Sequence, residues 1–207
     1  MLKPCVNILL WYLKSFVCQK KIINPCSCCC FMKEDIDVVD AHDEIVGKAD
    51  RSVAHKKGLL HRVIHVMVFD SDGKLFMQQR ALSKDMFPGY WEGSLSGHVK
   101  SKESFKDAAE RELHEELGIC VKRGHLKEIL EFGLHEENER VLAKLFVVKD
   151  FKGEWKLDED EVKTGDFWTM KKVEAELKGK KLFHPLFKKA LVELKAMKEP
   201  IVEFVKL

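Results

Sequence analysis

One stretch constrains this chain more than any other: "GHVKSKESFKDAAERELHEELGI", from Gly97 to Ile119. Residues 104–117 are rich in Ala, Glu, Leu and Lys and read as a helix, with Gly118 as its C-cap. On a helix, Glu112, Glu115 and Glu116 stand at i, i+3 and i+4 and share one face. Ala109, Leu113 and Leu117 follow one another at intervals of four and form an adjacent apolar stripe. Such a helix must bury its stripe while holding three carboxylates together. Like charges repel and raise some of their pKa values. A hard divalent cation offsets that repulsion, and Mg²⁺ favours carboxylate oxygen. The competing reading is an ordinary solvated Glu-rich face. Three features weigh against it: Glu103 near the helix start, where a carboxylate suits the dipole; Arg111, a cation beside the cluster; and Gly97, which permits a close backbone approach.

The rest of the chain supplies something for that helix to pack on. "DIDVVD" and "EIVGKA" flank "AHD" as a hairpin, and "RVIHVMVFD" (62–70) and "KLFMQQR" (74–80) are strands joined through "SDG". Phe87–Pro88–Gly89 breaks the chain. "RVLAKLFVVKD" (140–150) and "GDFWTM" (165–170) are further strands, and "KKVEAELK" (171–178) is a short helix. Pro185 suits the first turn of a last helix. Strands mixed with a few helices predict an α/β fold, with helices packed on a mixed sheet.

The 207 residues suit one domain with an extension. Lys+Arg 36 against Asp+Glu 34 is too balanced to argue for a nucleic-acid partner, so an anionic substrate needs a local basic cluster. Six of the seven cysteines (Cys5, Cys18, Cys26, Cys28, Cys29, Cys30) precede Met32, and only Cys120 follows it. The body therefore reads as a protein of a reducing, cytoplasmic compartment. The apolar run within residues 1–31 is interrupted by Lys14 and falls short of the roughly 20 residues that span a bilayer. That segment reads as an extension outside the fold, with Met32 the candidate start of a domain over 32–207. An anchor, a lipidated tail and a metal site are the alternatives, and membrane association is expected only if the extension is real.

The nine fixed positions of the Gly97–Ile119 stretch run Gly, five residues, Glu, seven residues, Arg-Glu-Leu, one residue, Glu-Glu, one residue, Gly-Ile. In this the chain resembles the Nudix superfamily without a departure. The resemblance implies an α/β/α sandwich with a mixed β-sheet, in which the motif forms loop–helix–loop. It implies that Glu112, Glu115 and Glu116 bind Mg²⁺ or Mn²⁺ with help from the Gly97 carbonyl. Arg111 would orient the glutamates and Glu103 would brace the loop. The implied reaction is hydrolysis of a diphosphate linked to another group, the metal neutralising phosphate oxygens and lowering the pKa of an attacking water.

A longer resemblance, over roughly residues 36–170, is carried by "AHKKGLLHR", "RALSK", "FPGYW" and "SGHV". It is to type 1 isopentenyl-diphosphate isomerase and its hydrolase-like relatives. It implies that His55, His61 and His98 bind a metal with two acids of a later strand, for which Glu137 and Glu139 in "EENERV" are the candidates. Imidazoles with carboxylates suit a transition metal better than Mg²⁺. A structural role for each histidine is the rival reading. His65 reads as an ordinary strand residue and His114 as a helix-surface residue. Arg80 and Lys84 match the isomerase's diphosphate contacts; a guanidinium fork and an ammonium can hold a diphosphate between them. Phe87, Tyr90 and Trp91 are either a base-stacking platform or packing.

Ser96 occupies the position of the isomerase's catalytic cysteine. A thiol, with a reference pKa near 8.5, exchanges protons with carbon when tuned; a serine hydroxyl is far less acidic. With every box glutamate present, the expectation is a Mg²⁺- or Mn²⁺-dependent hydrolase. Its substrate is a nucleoside diphosphate derivative or a similar organic diphosphate, with Ser96 beside it. Isomerase activity and a non-catalytic nucleotide-binding module are the alternatives. The general base stays open between a box glutamate and an acid such as Glu161, and so does the oligomeric state, a homodimer included.

Overall fold

β3 (His61–Asp70) is the strand around which the molecule is built. Apolar residues follow one another almost without interruption along it, and nearly all of it is buried, as expected for a strand covered on both faces. On one side it runs parallel to β8 (Glu139–Phe151), with His61 opposite Val141 and Val68 opposite Val148. On the other it runs antiparallel to β6 (Leu95–His98), with Val63 opposite His98 and Val66 opposite Leu95. β7 (Leu126–Glu136) pairs antiparallel with β8, and the hairpin β1 (Asp35–Val39) and β2 (Ile45–Asp50) joins beyond β3 through Val38 and His61. β4 (Leu75–Arg80) turns back from β3 and lies between β5 (Trp91–Gly93) and β9 (Val162–Trp168), antiparallel to both. One parallel pair among antiparallel ones makes the sheet mixed. The computed structural model describes residues 34–136 and 139–197; the expectations for the N-terminal extension fall outside them. No helix among the described residues is long and apolar enough to cross a membrane.

Strand alternation divides the core in two. Ile64, Val66 and Val68 of β3 meet Ala109, Leu113 and Leu117 of α2 (Phe105–Leu117). Val63, Met67 and Phe69 meet Val173 of α3 (Met170–Leu177) and Leu186, Phe187 and Leu194 of α4 (Pro185–Ala196). Helices on opposite faces of the strands give the expected α/β/α sandwich. α2 begins at Ser104, whose hydroxyl accepts from the Asp107 amide, and ends at Gly118 in the left-handed region with φ 64°, a cap that favours glycine. Pro185 stands in the first turn of α4, behind an His184 N-cap. The sequence reading omitted α1 (Arg51–Lys57), β5, β6 and β7. β5 and β6 are three and four residues long, too short to show a period. β7 alternates a few buried residues with many exposed ones, so no apolar run marks it.

Candidate active site

α2 presents its acids unequally. Its stripe of Ala109, Leu113 and Leu117 is fully buried, which draws Glu116, 7% exposed, in with it. The Glu112 side chain is 12% exposed and that of Glu115 is 53% exposed. Arg111 ties them to the preceding loop. Its Nε and Nη2 donate to the two Glu103 oxygens at 2.8 and 2.9 Å, and Nη1 donates to Glu112 at 2.6 Å and Glu115 at 3.0 Å. Nη2 also donates to the His98 carbonyl at 3.0 Å, and Glu103 accepts the Lys100 amide at 3.0 Å. All five guanidinium-side bonds converge on the loop and the acids, a fork only arginine supplies. A Cβ on Gly97 would lie 2.5 Å from Glu112 Cγ, so strand and helix approach here as only glycine permits.

Burial raises Glu112, against the neighbouring Arg111. Burial, then Glu92 and Glu112, raises Glu116 well above the ordinary carboxylate range. A buried acid and a largely covered one, both held away from their preferred charge, form a donor set that a hard cation would complete.

The other candidate set lies on the opposite face of the same strands. β6 alternates, so Gly97 faces α2 while Ser96 and His98 face the α4 side. There His98 meets His55 of α1, Nε2 to Nε2 at 2.9 Å, and stacks on His61 with ring centroids 5.2 Å apart. One ring nitrogen from each of the three histidines lies within 4.8 Å of the others. His61 Nδ1 is 2.8 Å from the Leu59 carbonyl, which only accepts. The proton therefore sits on Nδ1, leaving Nε2 a bare lone pair, as when a backbone carbonyl orients a metal-binding imidazole. That Nε2 is buried without a partner, and so is Glu139 Oε2. Register places Glu139 two residues before Val141, which lies opposite His61. Burial and then Glu92 push Glu139 up to about 7, and burial pushes His61 down to about 4. Orphaned acceptors without donors fit a cation, and imidazole with carboxylate suits a transition metal. Glu137, the other acid expected there, lies outside the described residues.

The expected diphosphate contacts are differently engaged. Arg80 is 9% exposed. Its Nη1 donates to Glu92 at 2.9 Å, and Nε and Nη2 to the Met86 carbonyl at 3.3 and 3.2 Å. It thus clamps the 81–90 loop instead of presenting a free fork. Lys84 pairs with Glu161, so the basic residue and one candidate base neutralise each other. Phe87 packs edge-on to His184 and Tyr90, and Trp91 lies 4.5 Å from Trp168, which is the packing arrangement of the two weighed. His114 is exposed on α2, as read.

Three residues given no part from the sequence stand at the centre. Glu92 is fully buried on β5, His65 is fully buried on β3, and Gln78 on β4 is 1% exposed. Ser96 Oγ joins them, 2.9 Å from His65 Nδ1 and 2.8 Å from Glu92. Burial opposes the charge on Glu92, but Arg80 and the nearby His184 outweigh it and bring it to about 2. His65 shares the strand face of His61 by period two, a signal present in the sequence. Its meeting with Ser96 depends on the β3–β6 register, which is not.

Residues 59–189 match the NUDIX domain family model. A Burkholderia multivorans protein named isopentenyl-diphosphate Delta-isomerase is 42% identical over 89 residues, 43% of this chain and 51% of that protein. The Serratia proteamaculans protein of that name is 44% identical over 90 residues, 44% and 50% of the two chains. The chain thus spans about half the length of these relatives. An uncharacterized Nudix hydrolase of Listeria monocytogenes is 34% identical over 156 residues, 74% of this chain and 90% of that one. Among solved structures, a Deinococcus radiodurans protein superposes with a TM-score of 0.64 at 22% identity, covering 75% of this chain and 96% of its own. A MutT protein of Methanosarcina mazei gives 0.54 at 19%, covering 65% and 91%; both share the fold. The unbroken Gly97–Ile119 motif, the sandwich that holds it and a family model spanning more than half the chain agree: the chain belongs to the Nudix family.

Proposed function

We propose that the protein is a divalent-metal-dependent hydrolase of an organic diphosphate, with nucleoside diphosphate derivatives the leading class. The observation that carries this is the carboxylate set of α2, with Glu116 buried and Glu112 largely covered beside a fixed Arg111. Mg²⁺ or Mn²⁺ bound there would neutralise phosphate oxygens and acidify a water. Glu112, Glu115 and Glu116 hold the cation, Arg111 fixes their directions, and Glu103 fixes Arg111. Gly97 keeps the strand close enough for its backbone to share the site. Ser96 lines the opposite face of β6 and is committed to Glu92.

Isomerisation is the second reading, favoured by the gathering of His55, His61 and His98 and by the names of the isomerase relatives. Against it, proton transfer to carbon has a half-buried serine where the isomerase has a thiol. The test is a panel of nucleoside and isoprenoid diphosphates with Mg²⁺ or Mn²⁺, read by phosphate or monophosphate release. In parallel, deuterium uptake from D₂O into isopentenyl diphosphate is followed. Glu115→Gln and Glu116→Gln should each lower release by about 10²-fold or more. Wild-type rates in both would remove the metal assignment, and deuterium uptake without release would turn the reading to isomerase.

A further inference from the structure

Proton bookkeeping around Glu92 has a single solution. A charged carboxylate only accepts, and the serine hydroxyl carries one hydrogen. The Ser96 hydrogen therefore goes to Glu92 Oε2 at 2.8 Å, and the 2.9 Å contact with His65 runs from Nδ1–H to Ser96 Oγ. His65 Nε2 is left a bare lone pair. It is buried without a partner, and its ring lies against Phe187, 6.0 Å between centroids. Glu92 Oε1 accepts from Arg80 Nη1 at 2.9 Å and from Gln78 Nε2 at 3.3 Å, and the same Gln78 nitrogen donates to Glu116 at 3.1 Å. The Gln78 amide thus spends both hydrogens on two carboxylates. Turned over, it would set its carbonyl against the charged Glu92. As it stands, Gln78 Oε1 is buried and unpartnered, so the amide keeps its direction at the cost of its own acceptor. Two directly opposed cross-strand pairs carry the chain, His65 with Ser96 and Gln78 with Glu92.

We propose that Glu92 is a positioning residue for the box carboxylate Glu116, acting through the Gln78 amide, and that Ser96 and His65 hold Glu92 in place. Ser96 is then an orienting hydroxyl for a buried acid and not a proton donor to substrate. The serine in the thiol position and the glutamate four residues before it form one device. The proposal rests on the metal-site reading of α2, so its test has one readout that needs metal and one that does not.

Mn²⁺ is titrated calorimetrically into the full chain, and the component lost in Glu116→Gln is taken as the box component. Gln78→Leu and Glu92→Gln should weaken that component about 10-fold, the size of effect that outer-shell partners exert. Ser96→Ala should weaken it by about 3-fold, and Ser96→Thr, which keeps the hydroxyl, should restore it. In metal-free protein, ¹⁵N NMR should show the Gln78 side-chain NH₂ protected from exchange in wild type and Ser96→Thr and unprotected in Ser96→Ala. A box component within about twofold of wild type in Gln78→Leu, Glu92→Gln and Ser96→Ala overturns the proposal. So does unchanged Gln78 protection in Ser96→Ala. If Glu92→Gln does not fold, the serine pair decides alone. Full Mn²⁺ binding in Glu116→Gln would sink the metal reading, and the NMR comparison would still decide the positioning.

Discussion

Gly97→Ala places one methyl group where the structure has no room for it. The added carbon would lie 2.5, 2.6 and 2.7 Å from Cγ, Cδ and Oε1 of Glu112, against a normal carbon–carbon separation of about 3.5–4.0 Å. All three atoms belong to one side chain, so the strand can stay and Glu112 must retreat by about 1 Å. That movement stretches the 2.6 Å bond from Arg111 and takes the carboxylate out of register with Glu116. Overpacking of this kind costs about 1–3 kcal/mol of stability. A misplacement of about 1 Å in a reacting site costs on the order of 10²-fold in rate. The assay is kcat/KM on the best substrate of the panel, with a Mn²⁺ titration and a denaturant melt on the same sample. The three nearest atoms all belong to Glu112, which also predicts a coupling. In a Glu112→Ala background, Gly97→Ala should cost less than about 0.5 kcal/mol of stability, so the double-mutant cycle does not add. Equal costs in both backgrounds, or a Gly97→Ala protein with wild-type Mn²⁺ affinity and turnover, would refute the close-approach argument.

Metal should stabilise the fold: Mn²⁺ at 100 times its Kd adds about 2.7 kcal/mol, which for a domain of this size raises Tm by roughly 5–10 °C. EDTA should reverse the shift, and a Tm indifferent to both would count against any cation site. In EDTA, the buried histidines should cost stability in acid. Burial lowers His61, His65 and His184 to about 4 each from an ordinary 6.5, so their contribution is fully present above pH 6.5 and lost as pH falls towards 4. The raised carboxyls, Glu139 at about 7 with Glu112 and Glu116, act in the opposite sense over the same range. Urea melts from pH 7 to 4.5 should therefore show a steeper loss of stability with acid in Glu139→Gln than in wild type, and equal slopes would deny it. Ser96→Cys should gain no deuterium exchange into isopentenyl diphosphate. The thiol would inherit a site built to point at Glu92, and exchange at an isomerase's rate would mean that a single atom separates the two chemistries.

The box was legible because its determinants are local. Helix period, cap and spacing lie within Gly97–Ile119, and the structure places the stripe and the acids of α2 from those alone. The long apolar strands β3 and β8 and the Pro185 start of α4 were legible for the same reason. What escaped depends on register and on contacts between distant strands. "WEG" and "LSGH" carry no period, yet as β5 and β6 they bring Glu92 beside Gln78 and Ser96 beside His65. Arg80 read as a cation for phosphate because, with Lys84 in "RALSK", it matches the isomerase's diphosphate contacts. Its buried partner Glu92 stands twelve residues away on a strand too short to predict.

The four residues of β6 show how one short strand serves two candidate sites. Alternation sends Gly97 towards α2 and the carboxylates, and sends Ser96 and His98 towards α4 and the histidines. Neither side can be changed by shifting the strand, since a slip of one residue would exchange the two sets. Arg111 adds a second tie: it holds the box acids on one face and donates from its Nη2 to the backbone carbonyl of His98, a residue of the other, at 3.0 Å. Through Gln78, Glu92 and Ser96, a side-chain path crosses from Glu116 to His65 as well. A substitution on one face therefore reaches the other by two routes, one through backbone and one through hydrogen bonds. Removing Ser96 cuts only the second, so Ser96→Ala should alter Glu116 while leaving the approach of His55, His61 and His98 intact. Loss of both together would mean that the strand itself had moved.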